Sequence, residues 1–242
     1  MSGPLIDLNG RVRDRSRERR QRRVTLGTRV VIGVVVIAAL GWVLTASPLF
    51  SVREVKVVGN TSVPATTILQ AAQVPMGVPL AQLDRDAIAT RLMTVPGVGK
   101  GVVNVSLPGT VTLEVTERTV AFVVAADGGF ALVDSSGVRY GQSTSKPSGV
   151  PNAQADPNDQ QLLADVSTVL GALPQSLART VNLVVAPTRD SIVVKMDNGL
   201  AVTWGSADDS PLKGQTAAAL AAAKPNCRAI DVSSPTQPTT HC

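Results

Sequence analysis

The feature that most constrains this chain is a run of 23 residues without a charge, from Val30 to Val52, which follows directly on a cluster of arginines. Its first part reads Val30-Val-Ile-Gly-Val-Val-Val-Ile-Ala-Ala-Leu-Gly-Trp-Val-Leu-Thr-Ala46. About 20 helical residues at roughly 1.5 Å each cross a hydrocarbon core of about 30 Å, so residues 30–50 are expected to form a single transmembrane helix. β-Branched residues are mediocre helix formers in water, but lipid offers no other hydrogen-bond partner to the backbone and so imposes the helix. Trp42 falls near the far end, where an interfacial ring belongs. A cleaved signal peptide fits less well, because its apolar stretch is about 7 to 15 residues long and Leu44 is a poor residue two positions before a cleavage at Ala46. A buried core helix is the remaining alternative.

Charge is concentrated on one side of that run. Residues 1–29 hold nine arginines against Asp7, Asp14 and Glu18, a net of +6, while the remainder of the chain nets −1. Arg19, Arg20, Arg22, Arg23 and Arg29 lie closest to the apolar run and form the expected topology signal. By the positive-inside rule this tail stays in the cytoplasm and the carboxyl side is extracytoplasmic. The expected topology is therefore single-pass type II, with membrane lipid as one partner. A DNA-binding tail would use the same residues but needs more assumptions, and no nucleic-acid partner is expected.

The remaining composition excludes several chemistries. His241 is the only histidine, next to last in the chain, which leaves no Ser-His-Asp triad or histidine-clustered metal site. Two cysteines cannot build a zinc finger. Pro96-Gly-Val-Gly-Lys-Gly101 invites a phosphate-loop reading, yet Thr94 stands where the first glycine is needed and Gly101 where Ser or Thr should follow the lysine. The pairs Asp84 with Asp86 and Asp208 with Asp209 sit at expected helix starts, where acids favour the dipole, so helix capping explains them better than hydrolysis. No enzyme, cofactor or small-molecule substrate is expected.

Beyond residue 50 the pattern changes to short alternating runs, and an α+β fold is expected. Val52 to Val58 reads as a strand ending at Gly59-Asn60. A helix from about Pro64 to Gln73 follows, then a second capped by Asp84 and running through Met93, then strands at 102–107 and 110–116 around Pro108-Gly109. Residues 51–118 thus form a complete β-α-α-β-β domain. Hairpins flank Asp127-Gly128-Gly129 and the chain turns again at Ser135-Ser136-Gly137. Residues 141–158 read as a surface loop, and Asp156-Pro157 as the start of a helix carrying Leu162, Leu163, Val166, Val169 and Leu170. Strands at 181–185, 192–196 and 200–204, an Ala-rich helix from Ser210 to about Ala223, and a short strand at 229–232 complete a mixed β-domain with two helices over 119–235. Residues 236–242 are expected to be a flexible end.

Several of these segments carry a resemblance. Phe50-Ser-Val-Arg-Glu-Val-Lys-Val-Val-Gly-Asn60, Gly77-Val-Pro-Leu80 with Leu83-Asp84, Val95-Pro-Gly-Val98, Leu107-Pro-Gly-Thr-Val111 and Glu117-Arg118 occur in order behind the anchor. Together they resemble the POTRA domain of the FtsQ/DivIB family of bacterial cell-division proteins. Asp197-Asn-Gly199, Lys213 and Ile230-Asp-Val-Ser-Ser-Pro235 resemble markers of that family's following β-domain. Val120 stands where family members often have proline. With 17 Arg to 6 Lys the chain suggests a GC-rich, actinobacterial source.

The resemblance implies a non-enzymatic divisome scaffold at the septum, linking early and late division proteins and binding FtsB/FtsL-type (DivIC/FtsL-type) coiled-coil partners. Its POTRA module is expected to answer to upstream recruiters. The positions matching the family's C-terminal strand, Ala229, Ile230, Asp231, Val232, Ser233 and Ser234, are the partner-binding candidates, with strand addition to an exposed sheet edge as the mechanism. A POTRA-bearing chaperone or export component of the envelope is the alternative, but such proteins usually carry several repeats and a barrel. Cys227 and Cys242 fall on the exterior side, where a disulfide closing about 15 residues contributes about 3 kcal/mol. They are read as a bridge, the other possibility being two independent thiols.

Overall fold

The computed structural model describes residues 28–39, 41, 42 and 48–242. Of the expected anchor at 30–50, residues 30–39, 41 and 42 are helical, while residues 40 and 43–47 lie outside the described residues. Arg19, Arg20, Arg22 and Arg23 lie outside them as well, and Arg29 sits in the helical stretch. Among the described residues no helix is long and apolar enough to cross a membrane. The apolar side chains of that stretch are nevertheless bare: Val30 is 63% and Ile37 71% exposed.

The first domain comprises β1 (Glu54–Val58), α1 (Ala65–Ala72), α2 (Arg85–Leu92), β2 (Val98–Ser106) and β3 (Thr110–Glu117). Alternation along β3 directs Val111, Leu113 and Val115 inward and Thr112, Glu114 and Thr116 outward. The sheet order is β1-β3-β2, with β1 parallel and β2 antiparallel to β3. Both helices cover one face, so that Ile68, Ala72, Ile88 and Leu92 pack on Val98, Val103, Val111 and Leu113. The Asp84 carboxylate accepts from Ala87 N–H at 2.9 Å, which makes it the α2 cap rather than a catalytic acid.

β2 begins four residues earlier than the apolar alternation suggests. Its glycines are not a phosphate cradle: a Cβ at Gly101 would meet Leu92 Cβ at 2.8 Å, so the glycine lets α2 lie against the strand. The turn itself closes at Gly97, whose φ is +91°.

The second domain holds β4 (Val120–Ala126), β5 (Gly129–Asp134), β6 (Arg139–Ser143), β7 (Asn152–Gln154), α3 (Gln160–Ala172), the four-residue α4 (Gln175–Ala178), β8 (Val181–Val185), β9 (Ile192–Met196), β10 (Ala201–Gly205), α5 (Ser210–Ala223), β11 (Ala229–Asp231) and β12 (Thr239–His241). They form one sheet of nine strands in the order β12-β11-β10-β9-β8-β7-β4-β5-β6. Cross-strand partners place Gln142, Ala131, Val124, Ala153, Val184, Val194, Val202, Ile230 and Thr240 in a continuous row through all nine strands. The seven members from Ala131 to Ile230 are buried, and only the two ends are polar. α3 and α5 cover this face through Leu162, Leu163, Val166, Val169 and Ala217.

Three local expectations differ from the structure. α3 is capped by Asp159, whose carboxylate accepts from Gln161 and Leu162 N–H, while Asp156 only closes the preceding turn on Asn158 N–H. Asp209 holds the cap position of α5 without a side-chain bond. Two strands, β7 inside the expected loop and β12 inside the expected flexible end, have no apolar alternation to announce them.

Gly214 in α5 tests the packing of the two long helices. A Cβ there would lie 2.2 Å from the Ala172 carbonyl oxygen. Gly→Ala in a helix interior ordinarily gains about 1 kcal/mol. Here Gly214→Ala is expected to lose about 1–3 kcal/mol instead, from forced separation of α3 and α5, measured by urea unfolding.

Candidate partner-binding edge

The end of the large sheet is built from β10 outward. Trp204 is fully buried, and its Nε1–H donates to Ser210 Oγ at 3.0 Å, which donates in turn to the Ala207 carbonyl at 2.7 Å. Lys213, only 2% exposed, donates from Nζ to the Ser206 carbonyl at 2.9 Å. These bonds hold the connection between β10 and α5. Gly205 has φ +74°, and a Cβ there would approach Ser233 Cβ to 3.0 Å, so the chain beyond β11 can lie close against β10.

β11 runs parallel to β10, with Val202 opposite Ile230. Val232 N–H continues the ladder to the Thr203 carbonyl at 2.9 Å, and Ala201 N–H donates to the Arg228 carbonyl at 2.9 Å. The six candidate residues are therefore brought together, but they divide by role. Ile230 and Val232 are wholly buried in the core, Ala229 and Asp231 are half-buried, and Ser233 and Ser234 are exposed. Asp231 Oδ1 accepts from both N–H and Oγ of Ser233, at 2.9 and 2.7 Å, and this local turn ends the strand.

β11 is not the last strand. β12 pairs with it antiparallel, His241 opposite Ala229, Thr240 opposite Ile230 and Thr239 opposite Asp231. Lys224 Nζ donates to Thr240 Oγ1 at 2.9 Å. Cys227 and Cys242 stand with their Sγ atoms at bonding distance beside this pair of strands. The main-chain edge facing away from β11 thus belongs to Thr239–His241. A groove of about 260 Å³ lined by Leu177, Leu200, Ala221, Lys224, Pro225 and Cys227 adjoins it. Sequence reasoning missed β12 because its three residues contribute no apolar side chain; the two cysteines 15 residues apart were the available signal.

The Glu117-Arg118 pair joins the two domains. The Glu117 carboxylate accepts from the N–H groups of Thr61, Ser62 and Val63 at 2.7–3.0 Å, and bonds from Val63, Thr61 and Ser62 hold its pKa below the ordinary carboxylate value. Arg118 N–H donates to the Gly97 carbonyl, and its guanidinium pairs with Asp134 of the second domain. Burial pushes the Asp134 pKa up. Bonds from Ser136, Val138 and Arg118 outweigh it, so the pKa lies below the ordinary 3.8. This ion pair spans the junction two residues before Val120, which stands in the place of a proline.

Residues 50–118 match the family model for the FtsQ-type POTRA domain, and residues 121–233 match that for the C-terminal region of cell division protein FtsQ/DivIB. The chain belongs to the FtsQ/DivIB family, a non-enzymatic family of cell-division scaffolds. It is 30% identical to cell division protein FtsQ of Streptomyces coelicolor over 98% of both chains. It is 33% identical to that of Streptomyces venezuelae over 88% of this chain and 83% of the relative. A solved extracytoplasmic domain of the cell division protein DivIB from Geobacillus stearothermophilus is similar at 22% identity and a TM-score of 0.36, covering 45% of this chain and 94% of that one.

Removing the carboxylate in Asp134→Ala leaves the N–H groups of Ser136 and Val138 without their acceptor and is expected to cost about 1–3 kcal/mol. A carboxylate with a lowered folded pKa contributes stability that is complete above its unfolded value and lost as pH falls through the folded value. The urea midpoint of the wild type should therefore fall on acidification below pH 3.8, and that of Asp134→Ala should fall less.

Proposed function

We propose that this chain is a non-enzymatic bitopic scaffold of the bacterial divisome that captures its partners by strand addition at the β11–β12 end of the nine-stranded sheet. Residues 30–50 anchor it in the cell membrane, the Arg-rich residues 1–29 stay in the cytoplasm and the two folded domains face outward. It concentrates at the septum and links early to late division proteins. The partners are membrane-anchored coiled-coil proteins of the FtsB/DivIC and FtsL types. Residues 229–234 and the strand laid over them form the docking end.

The observation that carries this reading is the polar termination of the apolar row at Thr240, on a strand with a neighbour on one side only. An incoming strand finds main-chain donors and acceptors there without having to bury a charge. The membrane part is supported by the exposed apolar side chains at 30–37, since a bare run of Val and Ile beside arginines suits lipid and not water.

Three measurements test it. Thr239 and His241, opposite Asp231 and Ala229, turn their main-chain groups toward β11, so Thr240→Pro removes the N–H donor that faces away from the sheet, whereas proline at Ile230 or Val232 would disturb the core. Thr240→Pro should lose capture of FtsB/FtsL-type exterior segments by about tenfold or more, with Trp204 fluorescence unchanged; full capture by this variant overturns strand addition here. Protease added to intact spheroplasts should remove residues 51–242, and a fluorescent fusion should form a midcell band. A uniform envelope signal would favour an export component instead.

A further inference from the structure

We propose that Cys227 and Cys242 form a redox latch that decides which strand ends the large sheet, β12 when the sulfurs are joined and β11 when they are reduced. The proposal rests on the extracytoplasmic placement argued above, because a disulfide persists there and not in the cytoplasm.

β12 is a weakly held strand by every other measure. It has three residues, of which Thr239 and His241 are exposed and Thr240 is half-buried, so it contributes no apolar side chain to the core. It reaches β11 through residues 232–238, a connection that contains Pro235 and Pro238 and one internal turn, Gln237 N–H to the Ser234 carbonyl. Apart from the ladder itself, it is held by Arg228 N–H to the His241 carbonyl, by Lys224 on Thr240, and by the sulfur pair. A strand this short is marginal on its own pairing. The sulfur link makes its docking intramolecular and keeps it in place.

β11 is anchored independently. Ile230 and Val232 are buried, and β10 supplies a parallel ladder on the inner side. Release of β12 therefore leaves β11 in position and uncovers its outer edge. The two edges differ in what they accept. The outer strand offers Thr-Thr-His, with no apolar side chain. The uncovered one offers Ala-Ile-Asp, where an extended partner segment with Val or Ile in the place of Thr240 would prolong the buried row by one strand. The latch thus sets the chemistry of the partner as well as the position of the edge.

Opening requires a dithiol reductant of the thiol–disulfide oxidoreductase class. One of its thiolates attacks a sulfur of the pair and breaks the Cys227–Cys242 bond, forming a mixed disulfide. The second thiolate resolves that bond, the reductant becomes a disulfide, and two electrons with two protons pass to Cys227 and Cys242 as thiols.

Hydrogen exchange on the full-length protein in detergent micelles tests the latch without any partner, so its failure leaves the strand-addition reading standing. In oxidised protein the amides of Ala229, Asp231, Thr239 and His241, which face one another across the β11–β12 ladder, should be protected. Tris(2-carboxyethyl)phosphine should raise their exchange by about tenfold or more while 192–205 stay protected. The double variant Cys227→Ser, Cys242→Ser should match the reduced wild type and ignore the reductant. The latch is overturned if reduction leaves Thr239 and His241 protected, if 192–205 open together with them, or if alkylation under non-reducing conditions finds both thiols free in exported protein.

Discussion

The architecture of the second domain depends on one row of buried side chains. Because strand residues alternate between faces, a slip of one residue at any point would turn the rest of that strand's inward set to water. Ala131, Val124, Ala153, Val184, Val194, Val202 and Ile230 each hold the register of one strand against the next, and α3 and α5 seal the six from Val124 to Ile230 from above. The mixture of parallel and antiparallel pairings costs nothing in this respect, since the row needs only that each strand presents one small or β-branched residue at the right height.

The first domain follows the same logic on a smaller scale, with three strands and two helices on one face. The two cores are separate clusters, and the connection between them is polar. Glu117 and Arg118 are adjacent but face different duties: the acid closes the loop after β1 onto the end of β3, and the base reaches across to the second domain. Two neighbouring residues of opposite charge thereby fix both the end of one domain and the start of the next. A family marker that is unremarkable as a dipeptide acquires a physical reason once its partners are known.

Strands with clean alternation, such as β3, β9 and β10, were legible in the sequence because each buries its own set of side chains. The helices other than the four-residue α4 were legible too, although Asp156 and Asp159 compete as caps and only packing chooses between them. β7 and β12 were not legible. Asn152-Ala153-Gln154 and Thr239-Thr240-His241 are strands only because neighbours supply a ladder, and local composition carries no trace of that. The candidate site shared this limit. Residues 229–234 could be read as a strand near the chain end, but whether a strand is last in its sheet depends on a segment that pairs with it from elsewhere.

The pairing of β1 with β3 has a mechanical meaning. β1 is parallel to β3, entering opposite Thr110 and leaving opposite Glu114, while the chain departs for the second domain from the far end of β3. A pull between residue 50 and residue 118 therefore acts on opposite ends of two parallel strands. All the ladder bonds bear such a load together in shear, instead of opening one after another as they would in a hairpin pulled apart at its mouth. A domain built this way resists tension applied between its entering and its leaving ends.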